Sequence, residues 1–314
     1  MKVGVIGTNW LVEEMISIFN KCGAEVLAVY SRSADRAKFF SENNNIKLYF
    51  DDLEKMLQVD DIDIVYIASP NAVHHEQAEL ALLSGKHVII EKPIVLKLDD
   101  LQDLIDIAEK HKLFVFEAVT TLHLPNYQKI KEMIEEIGDI KLVDLNFSKY
   151  SSKYDDFLNG TIKSVFNREM GGGALNDMNV YNIHFLLGLF GTPRKYTYYP
   201  NVERGIDTSG IVVAQYDSFT ATLSAGKDVV GNSHISIQGV NGLIRSSSSS
   251  STIENFEFVT FDKSVIVDVQ DKNIYEYEMQ DFIKIIENRD VESYKELLAQ
   301  SRNVVEVLER INNE

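Results

Sequence analysis

The chain has 314 residues, more than one hydrophobic core usually organises, so two domains are expected. Its 45% hydrophobic and 25% charged side chains describe an ordinary globular protein and exclude disorder as the overall state. Acidic side chains outnumber basic ones 48 to 31, and a net charge of -17 repels phosphate backbones and anionic bilayers, which excludes nucleic acid and membrane surfaces as expected partners.

The opening Val3-Gly4-Val5-Ile6 reads directly as a strand, without the ordered regions of a signal peptide, and no apolar run reaches bilayer length. The single cysteine, Cys22, permits no intrachain disulfide and reads as a reduced thiol near a helix end. A cytoplasmic location is therefore expected.

From Lys2 to about Thr121 short apolar, β-branched runs alternate with helical patterns, as in βαβ units around a parallel sheet. Strands are predicted at Val3 to Ile6, Val26 to Tyr30, Ile62 to Ile67, His87 to Ile90 and Leu113 to Phe116, and helices at Leu11 to Phe19, Ala34 to Glu42, Ala72 to Leu83 and Leu98 to His111. In the last helix Leu101, Leu104, Ile105 and Ala108 form one stripe, which should pack on the sheet. Beyond Thr121 the rhythm changes. A helix from Asn126 to Ile137 stops at Gly138, and strands follow at Ile140 to Tyr150, Lys195 to Tyr199, Gly210 to Tyr216, Ala221 to Ala225, His234 to Gln238 and Phe256 to Phe261. Helices are predicted at Asn176 to Leu189, Tyr277 to Glu287 and Val291 to Ile311. Successive strands without intervening helices favour a mostly antiparallel sheet. The expected division is residues 1–121 as a dinucleotide-binding domain and 122–314 as an α+β domain that binds substrate and self-associates through its open sheet, giving a homodimer or higher homo-oligomer. Ser246 to Ser251 is an unbroken serine run, expected to be a flexible loop.

The turn after the first strand reads Gly7-Thr8-Asn9-Trp10-Leu11-Val12, where a dinucleotide fingerprint would place Gly, Gly and Gly or Ala. Only its first glycine is present. Asn9 tolerates a left-handed backbone and offers an amide donor toward a diphosphate, while Val12 is expected to hold the helix slightly farther from the strand. The second strand ends Tyr30-Ser31-Arg32-Ser33 with no carboxylate for the two ribose hydroxyls of NAD. Arg32 suits a 2′-phosphate, assisted by Ser31 and Ser33, so NADP is favoured with NAD possible; Ser33 also suits a helix cap. Further on, Ala68-Ser69-Pro70-Asn71 turns into a helix carrying adjacent His74 and His75, which point to different sides and argue against a shared metal. After the strand His87-Val88-Ile89-Ile90 comes Glu91-Lys92-Pro93, and a cation at the carboxyl edge of a parallel sheet can meet both a nicotinamide and a substrate oxygen.

Gly7-Thr8-Asn9-Trp10, Ala68-Ser69-Pro70-Asn71 with His74, Glu91-Lys92-Pro93, and Gly171-Gly172-Gly173-Ala174-Leu175-Asn176-Asp177 with Tyr181 together resemble the glucose–fructose oxidoreductase, inositol dehydrogenase and MocA family over nearly the whole chain. The resemblance implies an NAD(P)-dependent oxidoreductase with an N-terminal Rossmann domain and a C-terminal α+β domain. The Ser-Arg strand end and the Asp-x-x-x-Tyr pair look most like the dihydrodiol and NADP-linked sugar dehydrogenase branch. By position it implies a catalytic lysine at Lys92, a carboxylate at Asp177 and an acid/base at Tyr181, where inositol-oxidising relatives carry histidine. It also implies cofactor contacts from Gly7, Thr8, Asn9, Trp10, Leu11, Ser31, Arg32, Ser69, Pro70, Asn71, His74, Glu91 and Lys92. Asn9 and Asn179 stand where the family pattern has glycine.

Alcohol oxidation needs a base of nearly neutral pKa. Asp177 and Tyr181, one helical turn apart, share a face; Tyr181 is the expected proton carrier, Lys92 the electrostatic aid and Asp177 the orienter, with Lys92 as the rival proton carrier. The three glycines at 171–173 either let backbone approach a ligand or form a plain turn. His184, seven residues after Asp177 and on the same helical face, either reaches the pocket or is a core histidine, the core reading being favoured, and Arg168 and His123 read as either substrate contacts or surface and packing residues. No metal-ligand spacing and no phosphate-binding Gly-x-x-x-x-Gly-Lys-Ser/Thr segment is present. The expected function is hydride transfer between a nicotinamide and a sugar, polyol, diol or related carbonyl compound. The alternatives are a nucleotide-sensing regulator without turnover and a cofactor-assisted glycoside hydrolase.

Overall fold

The computed structural model describes residues 1–313. Contacts divide the chain into two compact units, Met1–Ala118 with Tyr275–Val305, and Val119–Ile274 with Glu306 onward.

In the first unit, strands β1 (Lys2–Ile6), β2 (Glu25–Tyr30), β3 (Leu48–Phe50), β4 (Ile64–Ile67), β5 (His87–Glu91) and β6 (Val115–Ala118) alternate with α1 (Trp10–Lys21), α2 (Ala34–Asn43), α3 (Leu53–Leu57), α4 (His74–Leu83) and α5 (Leu98–His111). All pairings are parallel, in the order β3-β2-β1-β4-β5-β6. The chain reverses its direction of winding between β1 and β4, so the loops after these strands lie at the switch point where open α/β sheets take ligands. Residues of β4 and β5 are buried on both faces, which is why they read as continuous apolar runs rather than alternating ones.

The second unit holds α6 (Pro125–Met133), β7 (Ile140–Ser148), α7 (Tyr154–Leu158), a π-helical turn at Leu175–Asn179 running into α8 (Val180–Phe190), and strands β8 (Lys195–Glu203), β9 (Ile206–Gln215), β10 (Thr220–Gly226), β11 (His234–Gly239), β12 (Gly242–Ser246), β13 (Phe256–Thr260) and β14 (Ser264–Val267). Its sheet has the order β14-β13-β12-β11-β7-β10-β9-β8 and is antiparallel except where β10 runs parallel to β7. Alternation puts Val143, Leu145, Val212, Ala221, Leu223 and Ile237 on a buried face. Asn179 and Asn182 bind α8 to β10, donating to the Leu223 and Ser224 carbonyls, each at 3.0 Å.

The last two helices, α9 (Ile274–Asn288) and α10 (Val291–Asn313), differ from the sequence division, which put both in the second domain. From Tyr275 to Val305 they pack with the first unit. The parallel sheet has an apolar face, with Tyr66, Ile89, Phe114 and Phe116, and α9 closes it through Met279, Phe282, Ile283 and Ile286. The Phe282 ring stacks on Phe116 at 4.6 Å. The opposite face packs on α4 and α5 through Ala78, Ala81, Leu101, Leu104 and Ala108.

The serine run is not the flexible loop its composition suggested. Ser246 ends β12, and Ser249, Ser250 and Ser251 are buried. The Ser250 hydroxyl donates to Asn182 Oδ1 at 2.7 Å, while the Thr121 and Thr120 hydroxyls donate to the Ser250 and Ser251 carbonyls at 2.9 and 2.7 Å. A polar segment can be buried once its donors and acceptors are matched, and composition alone does not reveal the partners. No helix among the described residues is long and apolar enough to cross a membrane.

Candidate active site

At the switch point Gly7 has φ +121°, and a Cβ there would lie 2.9 Å from the Ala68 carbonyl oxygen and 3.5 Å from a Val12 methyl. Only glycine permits this approach of the β1 turn to the end of β4, and the space it leaves is what admits Val12, which is fully buried. Asn9 corrects the sequence expectation. Its backbone is extended (φ -91°, ψ 173°), and its amide is committed to the protein: Oδ1 accepts the Val12 N–H at 3.0 Å and Nδ2 donates to the Ala68 carbonyl at 2.9 Å. Asn9 is the N-cap of α1, where asparagine is among the preferred residues, so its side chain orders the turn rather than reaching out as a donor. The first turn of α1 has backbone N–H groups available to an anion. Thr8 and Leu11 are half-buried around it and Trp10 is exposed.

After β2, Ser31 is half-buried and Arg32 exposed; Ser33 caps α2 by accepting the Arg36 N–H at 3.4 Å. After β4, the Ser69 hydroxyl donates to Gln77 Oε1 at 2.6 Å, and Pro70 leads into a 3₁₀ turn at Asn71–Val73, where the sequence predicted α-helix from Ala72. His74, fully buried, has Nδ1 3.0 Å from the Pro93 carbonyl oxygen and Nε2 3.0 Å from that of Ser69. Both ring nitrogens thus lie at hydrogen-bond distance from backbone carbonyls, and burial lowers the ring's pKa against their pull. It thereby links the loop after β4 to the loop after β5. The latter is fixed twice more: Tyr66 donates to Glu91 Oε1 at 2.6 Å, and the Ile94 N–H donates to Glu117 Oε1 at 3.0 Å. Lys92, half-buried, sits between these anchors at the carboxyl edge of the sheet.

The second unit brings Asp177 and Tyr181 onto neighbouring turns, with a correction to the predicted helix. The segment opens as a π turn, a device frequent at functional sites, and four residues still span roughly one turn of it. Asp177 Oδ2 lies 2.7 Å from Nζ of Lys227, which sequence reasoning missed. The Lys227 side chain is 2% exposed; its ammonium also donates to the Val165 carbonyl at 2.7 Å and stands 4.6 Å from the Phe166 ring centroid. The one signal in the sequence is a lysine directly after the strand residues Ala225 and Gly226, and nothing local distinguishes it from a solvated loop cation. Tyr181 is half-buried, its ring edge-on to Phe147 at 5.7 Å.

Of the three glycines, Gly171 ends the 3₁₀ turn before it at φ +72°, while Gly172 and Gly173 serve tight packing. A Cβ on Gly172 would lie 2.5 Å from the Ser164 carbonyl oxygen, and one on Gly173, at φ +111°, would collide with Asp207. Asp207 in turn accepts the Leu175 N–H and the Tyr198 hydroxyl, each at 2.7 Å, and anchors the entrance to the helix. Burial pushes its pKa up, opposed by those two bonds. His184 and His123 are buried, and Arg168 is exposed on a short 3₁₀ turn.

A doubly wound sheet with a glycine-only turn at its switch point, a helix N-terminus behind it and a lysine at the same edge defines a dinucleotide-binding oxidoreductase. The GFO/IDH/MocA model described as "Oxidoreductase family, NAD-binding Rossmann fold" matches residues 1–119, and the GFO/IDH/MocA C-terminal domain matches residues 127–245. The scyllo-inositol 2-dehydrogenase (NADP(+)) of Bacillus subtilis is 33% identical over 98% of this chain and 95% of its own. A trans-1,2-dihydrobenzene-1,2-diol dehydrogenase of Xenopus tropicalis is 28% identical over 70% of this chain and 66% of its own. The fold is shared with a 3-ketoreductase of Actinomadura kijaniata solved with NADP and TDP-benzene (TM-score 0.87, 22% identity, 100% of this chain and 97% of that one). It is shared also with a levoglucosan dehydrogenase solved with NADH and levoglucosan (TM-score 0.84, 17% identity, 100% and 96%). The chain belongs to the GFO/IDH/MocA family and is an NAD(P)-dependent oxidoreductase.

Proposed function

We propose that the protein is an NADP-dependent dehydrogenase or reductase acting on a sugar, polyol, diol or related small carbonyl compound. The observation that carries this reading is the gathering of Gly7, Ser69 and Lys92 at one edge of the parallel sheet, after three neighbouring strands. Tyr181 in place of histidine argued against inositols, but the similarity to a scyllo-inositol dehydrogenase returns them to the candidate substrates.

The residues present fit a dinucleotide: the Gly7 turn and the first N–H groups of α1 receive a diphosphate, and the end of β2 carries no carboxylate. Thr8, Asn9, Trp10 and Leu11 shape that turn, and Pro70, Asn71, His74 and Glu91 shape the adjoining loops. Arg32 pairs with a 2′-phosphate and Ser31 assists it. When bound, the nicotinamide supplies hydride exchange. Tyr181 gives or takes the hydroxyl proton, Lys92 stabilises negative charge on the reacting oxygen, and Asp177, held by Lys227, accepts a hydrogen bond from a substrate hydroxyl. Lys92 is the rival proton carrier.

NADPH oxidation measured across inositols, aldoses, diols and aldehydes tests the reading; tight NADPH binding without turnover on any of them would favour a sensor. Arg32→Ala is expected to weaken NADPH about tenfold or more, the scale of one charge-assisted phosphate contact, with NADH affinity little changed. An equal loss for both nucleotides would refute the role of Arg32.

The outward face of the second unit's sheet carries exposed Leu142, Tyr199, Ile211 and Ile266 beside an Asp144–His234 pair at 2.9 Å. Apolar side chains on an otherwise polar sheet face suit isologous pairing with a second copy, so the protein is proposed to be a cytoplasmic homodimer. Light scattering should give twice the chain mass for the wild type and the chain mass for a Tyr199→Glu, Ile211→Glu variant. A wild-type monomer at micromolar concentration would end the proposal.

A further inference from the structure

The buried serine segment and the helix that carries Asp177 and Tyr181 share one chain of hydrogen bonds. Ser250, fully buried, donates its hydroxyl to Asn182 Oδ1 at 2.7 Å. Asn182 uses both N–H groups of its amide, donating to Asn179 Oδ1 at 2.9 Å and to the Ser224 carbonyl at 3.0 Å, while Asn179 donates to the Leu223 carbonyl at 3.0 Å. Both asparagines are fully buried, so a link left open would strand a polar group away from water. The contacts fall where the π turn Leu175–Asn179 passes into α8, and Asn182 is the residue next to Tyr181. Strand β10 is the common anchor. Leu223 and Ser224 accept from the helix, and Lys227, directly after the strand, holds Asp177 at 2.7 Å. Ala225, next along β10, pairs in register with Phe147, the ring that meets the Tyr181 ring edge-on at 5.7 Å. The serine segment is itself tied down, because the Thr121 and Thr120 hydroxyls donate to the Ser250 and Ser251 carbonyls at 2.9 and 2.7 Å.

We propose that Ser250 and Asn182 are positioning residues for Tyr181: the serine hydroxyl fixes the Asn182 amide, and the amide fixes the rotation of α8 over β10. Without the Ser250 donor, Asn182 keeps a buried acceptor unmatched and turns its amide away from Asn179 and Ser224 to find another partner. The helix then loses two of the bonds that set its register on the strand. Asp177 is held separately by Lys227, so a loosened α8 carries the phenol of Tyr181 away from that carboxylate. A misplacement of about 1 Å is enough to cost about 10²-fold in rate. The catalytic side of this inference rests on the role proposed for Tyr181; the hydrogen-bonded coupling does not.

The test takes Ser250→Ala and Asn182→Ala, alone and together. Ser250→Ala should lower kcat about tenfold and Asn182→Ala about 10²-fold. NADPH affinity should stay within about twofold of wild type, because the residues proposed to bind the nucleotide belong to the first unit. The double variant should match Asn182→Ala within about twofold, since Ser250 acts only through that amide. Position is read directly by fluorine NMR on protein labelled with 3-fluorotyrosine, the Tyr181 resonance being the one absent from Tyr181→Phe. It should shift in both single variants. Losses of kcat and NADPH affinity that run together with the folded fraction would reduce the two residues to packing and overturn the proposal. So would a multiplied loss in the double variant, or a Tyr181 resonance that does not move. If Asn182→Ala does not fold, Ser250→Ala decides by the same split between kcat and NADPH affinity and by the same resonance. If the wild type turns over no substrate but the Tyr181 resonance moves as expected, the failure lies in the assigned reaction and not in the positioning.

Discussion

Lys92→Ala is expected to lower kcat by about 10²- to 10⁴-fold, the range for losing a positioned proton-transfer or charge-stabilising group. The fold should be preserved. Lys92 is half-buried, and its loop is held by other residues: Tyr66 on Glu91, Ile94 on Glu117 and His74 on Pro93. NADPH affinity, measured separately, should fall much less than kcat, because an effect confined to the transition state leaves binding intact. Tyr181→Phe keeps the edge contact with Phe147 and removes only the hydroxyl. The pH profile of kcat/KM identifies the proton carrier: the variant whose profile loses its ionisation limb has lost that group. A Lys92→Ala enzyme within tenfold of wild type would remove Lys92 from the mechanism.

Lys227→Met is expected to cost about 3 kcal/mol of stability, the lower end for breaking a buried ion pair from one side. The lower end applies because the Asp177 side chain keeps 32% exposure and can be rehydrated, whereas the Lys227 side chain keeps 2%. The Val165 carbonyl and the Phe166 ring lose their cation as well. Adding Asp177→Asn should restore part of the loss, since the stranded carboxylate is then gone, with a coupling of about 1 to 3 kcal/mol in a double-mutant cycle. Denaturant unfolding of the two single variants and the double variant measures it. Strict additivity would mean that the 2.7 Å contact does not constrain Asp177. Activity should fall with Lys227→Met even where the protein remains folded, because the carboxylate at Asp177 loses the cation that orients it.

The parallel sheet was legible because its strands are buried on both faces and appear as uninterrupted apolar runs, and because Gly7 and Lys92 follow such runs immediately. The short strand β3, with a half-buried and exposed pattern in Leu48–Phe50, carries too little apolar signal to be recognised, as does β14 in Ser264–Val267. Asn9 was correctly located but misread, since its sequence position suits either a left-handed turn residue or a cap, and only the Val12 and Ala68 contacts decide between them. Lys227 was invisible because it acquires its meaning from Asp177, distant in the chain, and periodicity carries no information about such a partner. The serine run failed in the opposite direction: its polarity was read as solvation, whereas Asn182 and Thr121 supply hydrogen-bond partners inside the fold.

The return of α9 to the first unit also bears on biosynthesis. The six-stranded sheet is translated early, but Phe114 and Phe116 remain uncovered until residues beyond Tyr275 emerge from the ribosome. For most of its synthesis the nascent chain thus exposes a sticky surface that a trailing segment must cap, so the amino-terminal half cannot mature as an autonomous folding unit. A premature stop anywhere before α9 leaves that surface bare and exposes the truncated product to chaperones and proteases rather than to its cofactor.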